Sequence, residues 1–195
     1  MFDEEIRKAV DMAGYGEDIA DVLISLMHYI ERKHWAGACY ATASVLYVCL
    51  KELGYDPKLC IGEAVTDYPI TTSFDHGWIE LDGKIIDLAC CMTLLNGQPA
   101  SPPVIFDREI VSGEQHHIGY GYKGRGLDAT PKYIMSMPLS KYMAGFPNEK
   151  DGLLGVAHIV LGRKGSTKRL REKYTCNPWE YIQNDFDQMQ KQRGG

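Results

Sequence analysis

The stretch that decides the fold is His76-Gly77-Trp78-Ile79-Glu80-Leu81-Asp82-Gly83-Lys84-Ile85-Ile86-Asp87. Asp-Gly between two runs of alternating apolar residues signals a two-residue hairpin, because a type I′ turn needs positive φ at both central positions. With Asp82 and Gly83 in the loop, Leu81 faces Lys84, Glu80 faces Ile85, Ile79 faces Ile86 and Trp78 faces Asp87. His76 stands two positions before Trp78, on the same strand face and diagonal to Asp87. Diagonal neighbours lie about 7–8 Å apart at Cα, a span that an imidazole and a carboxylate can bridge. The register thus predicts a His–Asp pair, and the question is which nucleophile the imidazole faces.

Upstream, Cys39 opens the segment Cys39-Tyr-Ala-Thr-Ala-Ser-Val-Leu-Tyr-Val-Cys-Leu-Lys-Glu-Leu53, with apolar positions 39, 43, 46, 50 and 53 at helical spacing. Gly54 fits the left-handed position that ends a helix. Cys39 then sits in the first turn, where the partial positive charge and unpaired N–H groups favour a thiolate. The same N–H groups suit an oxyanion. Singly, each residue has an ordinary explanation: a buried thiol, a structural histidine, an aspartate that ends a strand. Together, helix start, hairpin register and chain order fit a nucleophile–base–orienter triad.

The same residues carry a resemblance. Cys39 with a helix ending Leu53-Gly54-Tyr55, a strand ending near Gly62, then His76-x-Trp78-x-Glu80 and Asp87 resembles the transglutaminase-like core. That family belongs to the papain-like cysteine peptidase superfamily. The likeness spans about residues 35–91, less than half the chain. It implies that Cys39 is the nucleophile, His76 the base and Asp87 the orienter. Trp35, Trp78 and Glu80 are the substrate-binding candidates; Glu80 shares the face of His76 and Trp78, so it either lines the cleft or pairs with a base from elsewhere. Many members carry a Trp beside the nucleophile, whereas here Trp35 lies four residues before Cys39, which leaves the second oxyanion donor open. After Asp87, where relatives often continue with Pro, this chain reads Leu88-Ala89-Cys90-Cys91.

The bulk composition narrows the class. At 195 residues, 45% hydrophobic and 24% charged, the chain reads as one soluble domain with room for a sizeable core. A net charge of −5 speaks against a nucleic-acid surface. The basic run from Arg163 to Lys173 also holds Glu172 and reads as a solvated helix face. No run of about 18 apolar residues marks a membrane span. The start, Met-Phe-Asp-Glu-Glu-Ile, lacks the basic and apolar regions of a signal peptide. Six irregularly spaced cysteines do not read as a disulfide framework. These features predict a cytoplasmic protein with mostly reduced thiols.

Along the chain, helices are expected at 3–13 and 17–34, a strand at 58–65, the hairpin at 75–88 and a short strand at Val104-Ile105-Phe106. The Gly- and Tyr-rich segment 116–126 reads either as a cleft-lining loop or, equally, as an ordinary surface loop or strand with turns. Helices follow at 131–144 and 166–175, with a strand at Gly155–Leu161 between them. Asn177-Pro178-Trp179-Glu180 carries helix-start signals for a last helix to about Gln190. The order predicts an α+β fold with a papain-like or transglutaminase-like core, the nucleophile helix packed on an antiparallel sheet. The expected domain is 1–195: N-terminal helices 1–34, catalytic core 35–91 and a cleft-shaping extension 92–195.

Rival sites are weaker. Cys90-Cys91 with His116-His117 lacks usual zinc-ligand spacing. His158, among Val, Ile and Leu, reads as a core histidine. The resulting expectation is a cysteine hydrolase of a peptide or amide, working through an acyl-thioester without metal or organic cofactor. Acyl transfer by the same triad is the alternative. A non-catalytic binding module and a redox or metal protein built on Cys90-Cys91 are the other classes weighed.

Overall fold

The computed structural model describes residues 2–66, 71–93, 99–163 and 166–184. Asp82 and Gly83 both take positive φ, 51° and 76°, the type I′ combination. They join β2 (Thr72–Leu81) to β3 (Lys84–Asp87), with Ile79 opposite Ile86, Glu80 opposite Ile85 and Leu81 opposite Lys84. That is the register expected from the sequence. β1 (Lys58–Thr66) pairs antiparallel with the length of β2. Beyond β3 the sheet continues through β4 (Val104–Ile105) and β5 (Arg108–Glu109).

The other edge of β1 is shared. β6 (Gly119–Tyr122) runs antiparallel beside residues 63–65, and β7 (Trp179–Tyr181) runs parallel beside residues 59–61. A register shift between Glu63 and Ala64 falls within the β6 pairing, just beyond the end of the β7 pairing at Ile61. Side chains alternate along each strand, so the sheet carries two apolar faces. Leu59, Ile61, Ile79, Leu81, Ile86 and Ile105 join the main core beneath the helices. Cys60, Ala64, Trp78, Ile85, Val104 and Tyr120 form a second cluster on the opposite face, around which the sheet curls.

Helices α1 (Asp3–Met12), α2 (Glu17–Lys33) and α3 (Cys39–Leu53) precede the sheet. α3 ends at Gly54 with φ 95° and lies between β2 on one side and α2 on the other. This position explains its small residues: Ala41, Thr42, Ala43 and Ser44 are all buried and admit close packing of helix on sheet. The architecture is α+β, as expected, and among the described residues no helix is long and apolar enough to cross a membrane.

The second half departs from the sequence reading in several places. Gly155–Leu161 is not a strand but most of α6 (Gly152–Val160), which packs on α3. An unbroken apolar run fits a helix buried on several sides as well as a buried strand. His158 lies in the last turn of α6, half-buried rather than in the core. The predicted helix 131–144 is two, α4 (Ala129–Met135) and α5 (Leu139–Ala144), because Pro138 cannot continue a helix. Residues 166–175 hold a shorter α7 (Lys168–Lys173). Asn177 does not cap a helix: its side chain accepts from the Trp179 N–H at 3.0 Å and turns the chain into β7. The rest of that predicted helix, from residue 185, lies outside the described residues. Gly119–Tyr122 is a sheet strand, one of the readings left open for that segment. The basic run is not simply solvated either, since Arg163, Arg169 and Lys173 all pair with Glu52 at the end of α3.

Candidate active site

Cys39 is the first residue of α3, so its sulfur lies beside backbone N–H groups that have no partner within the helix. The loop before it is tied down. Gly37, at φ 68°, donates its N–H to the Met92 carbonyl at 2.7 Å. Met92 ends the 3-10 turn Cys90–Met92 that follows β3. One hydrogen bond therefore couples the approach to Cys39 with the segment that carries Asp87.

His76 and Asp87 meet as the hairpin register requires. Nε2 of His76 lies 2.6 Å from Oδ2 of Asp87, and both side chains are almost fully buried, 2% and 1% exposed. This leaves Nδ1 of the imidazole free of Asp87, on a ring that lines the same cleft as Cys39. Burial alone would lower the imidazole pKa, but the Asp87 charge and hydrogen bond and the Cys39 contact outweigh it and raise the value to about 10. The Asp87 carboxyl is held below the usual range. Its burial opposes ionisation, but His76 and three further donors prevail: the Tyr120 hydroxyl on Oδ2 at 2.8 Å, and the Ala89 and Cys90 N–H groups on Oδ1 at 2.9 and 3.2 Å.

Tyr120 was invisible as a partner from the sequence. It stands on β6, three places from β3 in strand order, and reaches Asp87 only because the sheet curls around the second apolar cluster. Its ring packs 5.1 Å from Trp78 and edge-on to His116 at 5.3 Å. The one available signal was the pairing of Tyr with flanking Gly in Gly119-Tyr-Gly-Tyr122.

Cys39 and His76 line a cleft of about 210 Å³, walled also by Gly37, Tyr40, Phe74, Asp75, Ala89 and Met92. Tyr40 is steadied by Trp179, edge-on at 6.0 Å. Gly77 makes this possible, since a Cβ there would come within 2.8 Å of the Tyr40 ring. Tyr142 of α5 is a further phenol near Cys39.

The three residues proposed to bind substrate do not gather there. Trp35 is buried against Tyr29 and Phe146, with ring centroids 5.4 and 5.3 Å away. Trp78 faces the second cluster beneath His76. Glu80 pairs with Lys58 at 3.0 Å. Trp35 and Trp78 answer packing partners that local sequence does not reveal, and Glu80 takes the second of its two expected roles, paired with a base. The cleft is instead walled by sequence neighbours of Cys39 and His76: Tyr40 beside Cys39, and Phe74 and Asp75 before His76.

All six cysteines are free. Burial pushes the Cys49, Cys60 and Cys90 thiols up strongly, and Cys91 to about 12. Cys90 donates to the Asp87 and Pro102 carbonyls, at 3.3 and 3.1 Å, as a structural thiol does. His117 contacts Glu109 through Nδ1 at 2.5 Å. Among the described residues no group of three or more His, Cys, Asp or Glu is arranged to hold a metal ion.

No protein-family model, curated protein or solved structure matches this chain.

Proposed function

We propose that this protein is a cysteine-dependent hydrolase of a peptide or amide, built on a transglutaminase-like, papain-like core and using Cys39, His76 and Asp87. The observation that carries this reading is the buried 2.6 Å His76–Asp87 contact beside a cysteine at a helix N-terminus. Such a pair keeps the imidazole oriented and charged, which stabilises a neighbouring thiolate. The six free thiols suit a reducing, cytoplasmic setting.

In the reaction, the Cys39 sulfur attacks the substrate carbonyl carbon. First-turn N–H groups of α3 hydrogen-bond the tetrahedral oxyanion. The intermediate collapses as His76 gives its proton to the departing amine nitrogen, leaving a thioester. Water then loses a proton to His76, adds to the thioester carbonyl and releases the acid with the thiol restored. Asp87 holds the ring throughout and does not take the proton.

The first test needs no substrate. Under limiting iodoacetamide near pH 7, Cys39 should be carboxamidomethylated ahead of the five other thiols, and His76→Ala should remove that preference. Equal or slower labelling of Cys39 in the native protein overturns the reading. Once an acyl donor is found, product analysis with and without millimolar primary amine separates water from amine as the acceptor. Free acid should predominate; amine adducts dominating at low amine concentration would make the protein an acyltransferase.

A further inference from the structure

The cleft beside Cys39 contains a carboxylate that the proposed reaction does not use. Asp75 immediately precedes His76, and its side chain forms part of the same wall as Cys39 and Tyr40. One oxygen is occupied: Oδ2 accepts the Asp128 backbone N–H at 2.9 Å. The other, Oδ1, is screened from solvent and meets no donor among the described residues. A carboxylate oxygen held this way is costly, and a donor that arrives with a ligand recovers the cost.

The charges around the cleft point the same way. Of the residues that line it, His76 and Asp75 are the ones that bear a charge apart from the thiol. The His76 charge is matched from below by Asp87 at 2.6 Å. Asp75 has no such counterion in hydrogen-bond contact. The nearby guanidinium of Arg125 is committed to Asp128, at 2.9 Å, and lies 4.0 Å from the Glu63 carboxylate. Asp128 itself is 60% exposed and does not line the cleft. The cleft therefore presents one uncompensated negative group to whatever approaches the sulfur. The rest of its wall is uncharged and, apart from Thr93, mostly apolar or aromatic, with Tyr40, Phe74 and Met92 the largest side chains, which limits water and strengthens that field.

We infer that Asp75 is a specificity-determining residue that selects substrates bearing a cationic amine or guanidinium, with its N–H donors directed at Oδ1, next to the carbonyl attacked by Cys39. The inference rests on the reading of Cys39 as nucleophile. It gives the acyl substrate a charge and a size: an apolar or aromatic portion small enough for a 210 Å³ cleft, adjoining a positively charged nitrogen group.

Charged thiol reagents test this without knowledge of the substrate. Methanethiosulfonates carrying trimethylammonium, sulfonate or no charge all convert Cys39 to a mixed disulfide with loss of methanesulfinate. Their rates at Cys39, read by peptide mapping, should rank cation, neutral, anion. Normalised to the same ratio at a small free thiol, the cation should lead the anion by about tenfold or more at low salt. Asp75→Asn keeps the acceptor for Asp128 and removes the charge, so the cation-to-anion ratio should fall towards that of an exposed thiol. Asp128→Asn, which keeps its backbone donor, should leave most of the preference in place. A native ratio near one overturns the inference, as does a preference that survives in Asp75→Asn. Fast Cys39 labelling with no charge preference sinks this inference alone, whereas a Cys39 inert to all three reagents removes the nucleophile assignment as well. The native ratio decides even if Asp75→Asn fails to fold.

Discussion

Asp87 places four donors on two oxygens, and this count makes its replacement informative. Asp87→Asn keeps the shape but removes the charge that holds the His76 proton. The imidazole value should then drop from about 10 towards or below its ordinary 6.5. Cys39 labelling at pH 7 should slow by at least about tenfold. Tyr120→Phe removes one of the four donors. It should cost about 1 kcal/mol of stability and slow the same labelling by less. The pair also bears on stability. Because the folded His76 value is raised, its contribution is complete below pH 6.5 and is lost as pH rises through about 10. Native protein should therefore lose stability across that window, and Asp87→Asn should lose less. Denaturant midpoints measured from pH 6 to 10 give the comparison, and parallel curves would contradict the coupling.

At the scale of elements, what was legible in the sequence was what short-range chemistry specifies. Asp82-Gly83 has one good backbone solution, and the period-2 pattern on both sides fixes which residues face each other. Gly54 ends α3 for an equally local reason. Those two elements were enough to bring Cys39, His76 and Asp87 together. The errors came where tertiary surroundings decide. The run Gly155–Leu161 has no alternation to choose between helix and strand, and its choice is set by the neighbours α3 and α5. Asn177-Pro178 reads as a helix start, but the vacant edge of β1 claims Trp179–Tyr181. Tyr120 and Trp35 found their partners through long-range packing that no spacing encodes. The entry to α6 offers a direct check. Gly152 has φ 63°, and a Cβ there would collide with the carbonyl oxygen of Met143 in α5. Gly152→Ala should cost about 2–4 kcal/mol, from the left-handed backbone and the overlap together. A denaturation midpoint unchanged from the native protein would show that the α5–α6 junction is looser than described.

For the molecule as a whole, the two ends of α3 are held by different means. The first turn carries the cleft, and the last is anchored by Glu52, whose side chain is 2% exposed and receives Arg163, Arg169, Lys173 and Tyr174. Burial raises the Glu52 pKa, but its hydrogen bonds from Lys173 and Arg163 prevail and hold it at about 2. This contribution is present above the ordinary value of 4.5 and is lost as pH falls towards about 2. The cations are partly exposed, so Glu52→Gln should cost only about 1–2 kcal/mol at pH 7. It should also flatten the acid limb of the stability curve, and an acid limb as steep as the native one would discount the anchor. The shared edge of β1 has a consequence of another kind. The ribosome releases Cys39, His76 and Asp87 well before Trp179, so a growing chain holds all three while Leu59–Ile61 still has a bare edge and Tyr40 has no indole to rest on. The nascent protein thus has an unfinished cleft beside Cys39 and an unpaired strand edge, the kind of surface that invites mispairing, until β7 docks.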